Sequence, residues 1–150
     1  MSRPAAGDPA DAAGAGAGEP TPEERRRAAR IQAELLEAAG GTITVAEAAA
    51  LLAVPENAVL ERIRRGRLLG VRLGDGAYHL PRCQFEAGGV VPGLGRVLQA
   101  MPVRNGWTRL GDLLEPLPAL EGSTLLDLLK RGERDYAVEL AGRLHDTGAL

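Results

Sequence analysis

The sequence predicts a mainly helical fold: a winged helix-turn-helix with a short β-hairpin, followed by a small helical domain. Three observations carry this. Two helix starts, at Thr44 and Pro55, stand one short helix apart. Two brief extended runs flank Gly74-Asp75-Gly76. From Phe85 onward, apolar residues return to spacings of three and four between prolines and glycines. Composition agrees: of the 150 residues 45% are hydrophobic, but 25 are Ala and only Tyr78, Phe85, Trp107 and Tyr136 are aromatic. Leu, Val and Ala suit small, closely packed helices.

Residues 1–20 form a low-complexity tail in which fourteen positions are Ala, Gly or Pro. Such a stretch buries too little surface to offset its ordering entropy, so it is expected to be disordered. Residues 21–40 form a leading helix. Thr21 is a good N-cap, Pro22 fits the first position, and Glu23 and Glu24 face the positive helix end. Ala28, Ile31, Leu35 and Ala38 make one apolar stripe, and Gly40-Gly41 ends the helix. The other face balances Arg25, Arg26, Arg27 and Arg30 against four glutamates. It reads as a packing helix with a solvated face, or as a dimer-forming or DNA-backbone helix.

Residues 41–86 are the winged helix-turn-helix. Thr44-Val45-Ala46-Glu47 is a capping box, and the short helix behind it places Val45, Ala48, Ala49 and Leu52 on one side. Ala53-Val54 makes the turn, and Pro55 starts a second helix through Arg65, with Val59 and Ile63 inward and Gly66 as its stop. The extended runs Leu68–Leu73 and Ala77–Leu80 then form the wing, which Pro81 ends. Residues 87–150 form the helical domain. Its stripes are Leu94, Val97, Leu98 and Met101; then Leu110, Leu113 and Leu114; then a Thr124-capped helix with Leu125, Leu128 and Leu129 inside; and last Ala137, Leu140 and Leu144. Each helix is marginal alone and must pack on something.

The net charge of -2 excludes a uniformly basic nucleic-acid coat, but its distribution is uneven. Residues 41–82 hold Arg62, Arg64, Arg65, Arg67, Arg72 and Arg82 against Glu47, Glu56, Glu61 and Asp75, an excess of two positive charges. That excess lies where phosphates would run along a bound duplex. Arg62, Arg64, Arg65 and Arg67, with Arg72 on the wing, are the candidate DNA-backbone contacts. Asn57, on the exposed start of the second helix, is the candidate base reader, suited to an adenine edge, and Glu56 beside it suits a cytosine amino group. Glu56, Glu61 and Asp75 repel phosphate, so a helix-turn-helix retained for dimerisation or partner contact is the alternative.

No catalytic site assembles, and no cofactor is expected. One cysteine, Cys83, excludes an intramolecular disulfide and suits a reducing cytoplasm. With only His79 and His145 beside it, no Cys/His metal site is available. The serines are Ser2 and Ser123 alone, and the paired glycines lack the third glycine of a phosphate loop. No apolar run approaches the ~20 residues of a bilayer span, so no membrane association is expected.

The stretch Thr42–Phe85 is similar to the excisionase-like or MerR-like winged helix-turn-helix of bacteria, through Thr44-Val45-Ala46-Glu47-Ala48-Ala49, Ile63-Arg64-Arg65-Gly66-Arg67-Leu68, Pro81 and Gln84-Phe85. The second half resembles the toxin-binding domain of Xre/MbcA/ParS-type antitoxins, through Pro92-Gly93-Leu94, Val97-Leu98, Trp107 and the run Leu120–Gly132. It departs from that pattern in having Leu125 where Pro follows the capping Thr, Pro55 where Ser or Thr caps the recognition helix, and Glu61 where basic residues are common. The resemblance implies a type II antitoxin that neutralises a cognate toxin, usually a RES-type NAD-degrading one, and represses its own operon by binding operator DNA. It also implies a partner surface on the last helices: Thr124, Leu125, Leu128, Leu129, Lys130, Arg131, Arg134 and Tyr136. Tyr136 suits an interface anchor or internal packing beside Leu140. The alternative function is a transcriptional regulator or excisionase-like DNA-binding protein with no toxin. A homodimer is expected in either case, because helix-turn-helix proteins commonly read two half-sites.

Overall fold

The computed structural model describes residues 18–145. The expectation of a disordered tail falls mostly on residues 1–17, outside the described residues. The chain divides into two compact units, one ending at Ala33 and one beginning at Glu34. The fold is mainly helical with small antiparallel sheets, as the sequence predicts.

Helix α1 (Pro22–Ala38) begins with a reciprocal cap: Glu24 N donates to Thr21 Oγ1 at 3.0 Å and Thr21 N donates to Glu24 Oε1 at 2.8 Å. Its expected apolar stripe is only partly used. Leu35 and Leu36 are half-buried and Ala39 is buried against the helical core, whereas Ala28 and Ile31 remain exposed. Gly40 and Gly41, both at positive φ, end the helix.

Strand β1 (Thr42–Thr44) runs directly into α2 (Val45–Leu52), so Thr44 is both the last strand residue and the N-cap of the helix. The capping box closes at 3.0 and 2.9 Å between Thr44 and Glu47. Ala53, in the left-handed region at φ 59°, turns the chain into α3 (Glu56–Arg64). Pro55 is the N-cap of α3, in the place of the usual Ser or Thr, and supplies no side-chain cap. Strands β2 (Val71–Arg72) and β3 (Tyr78–Pro81) form the wing, and β3 pairs with β1 on its other side, giving the antiparallel order β1-β3-β2. Ile43 lies opposite Leu80. With Ala48, Val59, Ile63 and Leu68 these two close a small core of the winged region.

The wing strand expected over Leu68–Leu73 shrinks to two residues for a specific reason. The Gln84 side chain accepts from Leu69 N at 2.8 Å and donates to Leu69 O at 2.8 Å, taking the peptide groups that a neighbouring strand would need. After a 3-10 turn (Arg82–Gln84), β4 (Phe85–Glu86) and β5 (Gly89–Val90) form a second, unexpected hairpin.

Helices α4 (Leu94–Ala100), α5 (Gly106–Leu114), α6 (Leu125–Lys130) and α7 (Arg134–Gly142) enclose the larger core. Leu94, Leu98, Leu110, Leu113, Leu125 and Leu128 are its largest buried side chains. The border expected between residues 86 and 87 is crossed by packing: Leu69, from the wing side, is buried in this helical core, and Val90 touches both cores. Among the described residues, no helix is long and apolar enough to cross a membrane.

Candidate nucleic-acid interface

Helix α3 buries Val59 and Ile63 and turns Glu56, Asn57, Glu61, Arg64 and Arg65 outward. Asn57, at the second helical position, is exposed, as a base-reading side chain must be. Cations gather at the other end. Arg65 Nε donates to Glu61 Oε2 at 2.7 Å and Arg64 Nη1 to Glu61 Oε1 at 3.3 Å. One carboxylate thus occupies two of the five expected phosphate contacts, and the Arg65 bond and charge hold the Glu61 carboxyl below the usual carboxylate range. Arg62 is half-buried and Arg67 is exposed, and among the described residues neither forms an ion pair.

Arg72 is the most firmly placed cation. It donates to Gly76 O at 2.6 Å across the wing turn, and its guanidinium lies 4.2 Å from the centre of the Tyr78 ring. A cation stacked on an aromatic face and tied to a carbonyl loses little further entropy on meeting a phosphate. At the wing tip, Asp75 accepts from Ala77 N at 3.0 Å and faces His79 Nε2 at 3.0 Å. The Ala77 amide first, then His79, lowers the Asp75 carboxyl, so it stays ionised beside the wing cation.

The helical half supports the end of α3. Gln99 donates to Arg65 O at 3.3 Å. Arg109, only 5% exposed, donates from Nε to Val103 O at 3.1 Å and lays its guanidinium against Gly66, which has φ 74°. A cation at this spot faces the negative end of the α3 dipole. Among the described residues no carboxylate pairs with it and its Nη2 has no hydrogen-bond partner, and burial followed by the nearby Arg104 lowers its basicity. Sequence reasoning missed Gln99 and Arg109. An arginine beside the Leu110/Leu113 stripe is the only signal that pointed inward.

The partner surface expected on the last helices needs correction. Leu125, Leu128 and Leu129 are 0%, 1% and 2% exposed and fill the helical core, so they are unavailable to a partner. Thr124 is half-buried and engaged with Asp127 in a capping box at 3.0 Å in both directions. Lys130, Arg131, Arg134 and Tyr136 are exposed, Tyr136 by 41%. Arg131 is held by Glu133 at 3.0 Å and Ser123 Oγ at 3.2 Å, and the Arg134 methylenes lie over Gly93. Tyr136 is therefore not a core side chain.

No family model and no curated protein matches the chain. Among solved structures, the fold is similar to the NMR structure of Rv2175c, with a TM-score of 0.57 and 25% sequence identity, over 69% of this chain and 80% of that one.

Proposed function

We propose that this chain is a DNA-binding winged-helix regulator acting in the cytoplasm, with α3 as its reading helix and the β2–β3 turn as its wing. The observation that carries this is the outward face of α3: Asn57 is exposed at its start, with exposed Arg67 beyond its end and the stacked Arg72 on the wing. Phosphate contacts set affinity, and Asn57 sets base preference. Selection from a random duplex library, followed by anisotropy titration, tests it. Arg67→Ala and Arg72→Ala should each weaken all duplexes alike and flatten the salt dependence by about one counterion. Asn57→Ala should relax preference at one base pair, at a cost of about 1–3 kcal/mol on the preferred sequence. A salt-independent wild type, or no enriched sequence, overturns the reading.

A second reading, toxin neutralisation with repression of the toxin's operon, is supported by exposed Tyr136 and by the exposed cations Lys130, Arg131 and Arg134 along the same α6–α7 segment. Exposed aromatic and arginine side chains are the usual interface anchors. Co-expression with the product of the neighbouring gene tests it: Tyr136→Ala should abolish rescue from toxicity while leaving DNA binding intact. Absence of a toxic neighbour removes this reading and leaves the first.

A further inference from the structure

The first three turns of α1 bury no side chain, although the helix runs for 17 residues. Ile31 is 51% exposed and shares a face with Ala28, one turn earlier. Helices of this length are marginal in water unless an apolar face is covered. The charges on α1 are also sorted along its axis. Arg25, Arg26, Arg27 and Arg30 lie in its first half beside Glu23 and Glu24, whereas Glu34 and Glu37 lie in its second half with no base. Glu34 and Glu37, toward the C-terminal end, oppose the helix dipole. Among the described residues, no ion pair involves any of these side chains.

A neighbouring helix of the same sequence running the opposite way resolves both features. We propose that α1 is a self-association seam, covered by α1 of a second copy in antiparallel orientation. With Ala28 of one copy opposite Ile31 of the other, the two-fold axis repeats that layer and closes an apolar seam. The same alignment brings Arg27 beside Glu34 of the second copy, and the symmetry makes this contact twice. The basic half of each helix then faces the acidic half of the other, with dipoles opposed. A parallel arrangement sets the Arg25–Arg27 runs side by side and places Arg27 beside Gln32, without either ion pair. The seam is short, so the dimer is a weak one in the micromolar range. The inference rests on α1 alone and does not depend on DNA binding.

Sedimentation equilibrium of the full chain, from low to high micromolar concentration, tests it. The wild type should dimerise reversibly. Ile31→Asp should raise the dissociation constant roughly tenfold or more, as expected from losing a buried aliphatic side chain. Arg27→Glu should weaken the dimer by roughly three- to tenfold, since two attractive pairs become repulsive. The double variant Arg27→Glu/Glu34→Arg should recover wild-type association, with helix content by circular dichroism equal in all four proteins. Recovery is the outcome that general damage to α1 cannot produce. A wild type that stays monomeric, a dimer indifferent to Ile31→Asp, or a double variant no better than Arg27→Glu overturns the proposal.

Discussion

The amide of Gln84 makes three hydrogen bonds inside the protein, two to the Leu69 peptide and one to Pro81 O at 3.0 Å. With an apolar side chain of similar size there, the Leu69 N–H and C=O would be buried with no partner, and each orphaned group costs about 1–3 kcal/mol. Gln84→Leu is therefore expected to lose about 3 kcal/mol of stability in urea titration, although the side chain itself is more apolar. Cys83 behaves in the opposite way, as a polarisable filler. Burial pushes its thiol up to about 11 from an ordinary value near 9.0, against a smaller opposing effect of Lys130. Below pH 9 both folded and unfolded chains hold the proton; between 9 and 11 only the folded one does. The contribution of this group to stability is thus complete below pH 9 and falls as pH rises toward 11. Ellman's reagent should leave the folded thiol intact at pH 8 and titrate it promptly in denaturant. The burial of Gln84 was not legible in sequence. Gln and Arg are exposed by default, and only the fold shows that Gln84 and Arg109 lie inside.

The helices were legible because they carry their own punctuation. The Thr44/Glu47 and Thr124/Asp127 boxes form as their spacing requires, and the leucine stripes of the second half point inward. The strands were less so, since two residues carry no alternation and β1 ends on a residue that reads as a helix cap. The one strained point in the helix-turn-helix is Ala53, held in the left-handed region that favours glycine. The steric cost of an L-residue there is about 1–2 kcal/mol, partly offset by the greater freedom of an unfolded glycine. Ala53→Gly should raise stability by up to about 1 kcal/mol in thermal or urea melts. On α3, the legible Arg64 and Arg65 are not free cations, because Glu61 takes both. Glu61→Gln releases them for phosphate. Affinity for duplex DNA should then rise roughly two- to tenfold at low salt, with a steeper salt dependence. An unchanged or weaker titration would mean that this end of α3 does not face the duplex.

The winged region and the four-helix core looked separable from sequence, because the composition and spacing of apolar residues change near Phe85. What joins them is contact between small groups, which periodicity cannot register. Leu69 leaves the wing to enter the helical core, Gln84 O accepts from Val91 N at 2.8 Å, and Gln99 reaches Arg65 O. The tightest junction is the approach of two glycines. A Cβ at Gly106, the first residue of α5, would overlap the carbonyl oxygen of Gly70, and a Cβ at Gly70 would press on Ile63 of α3. Backbone is the hardest neighbour to displace, so Gly106→Ala has to move α5 off the wing, at a cost of about 2–3 kcal/mol. Trp107 reports on α5 by fluorescence, while far-UV circular dichroism follows all the helices. In the wild type both probes should trace one transition, because neither core closes without the other. In Gly106→Ala both midpoints should fall together. If the fluorescence midpoint drops while the rest of the helix signal holds, the two halves fold independently, and a fragment ending at Glu86 should then be stable by itself. The packing of Leu69 and Gly106 predicts that such a fragment is unfolded.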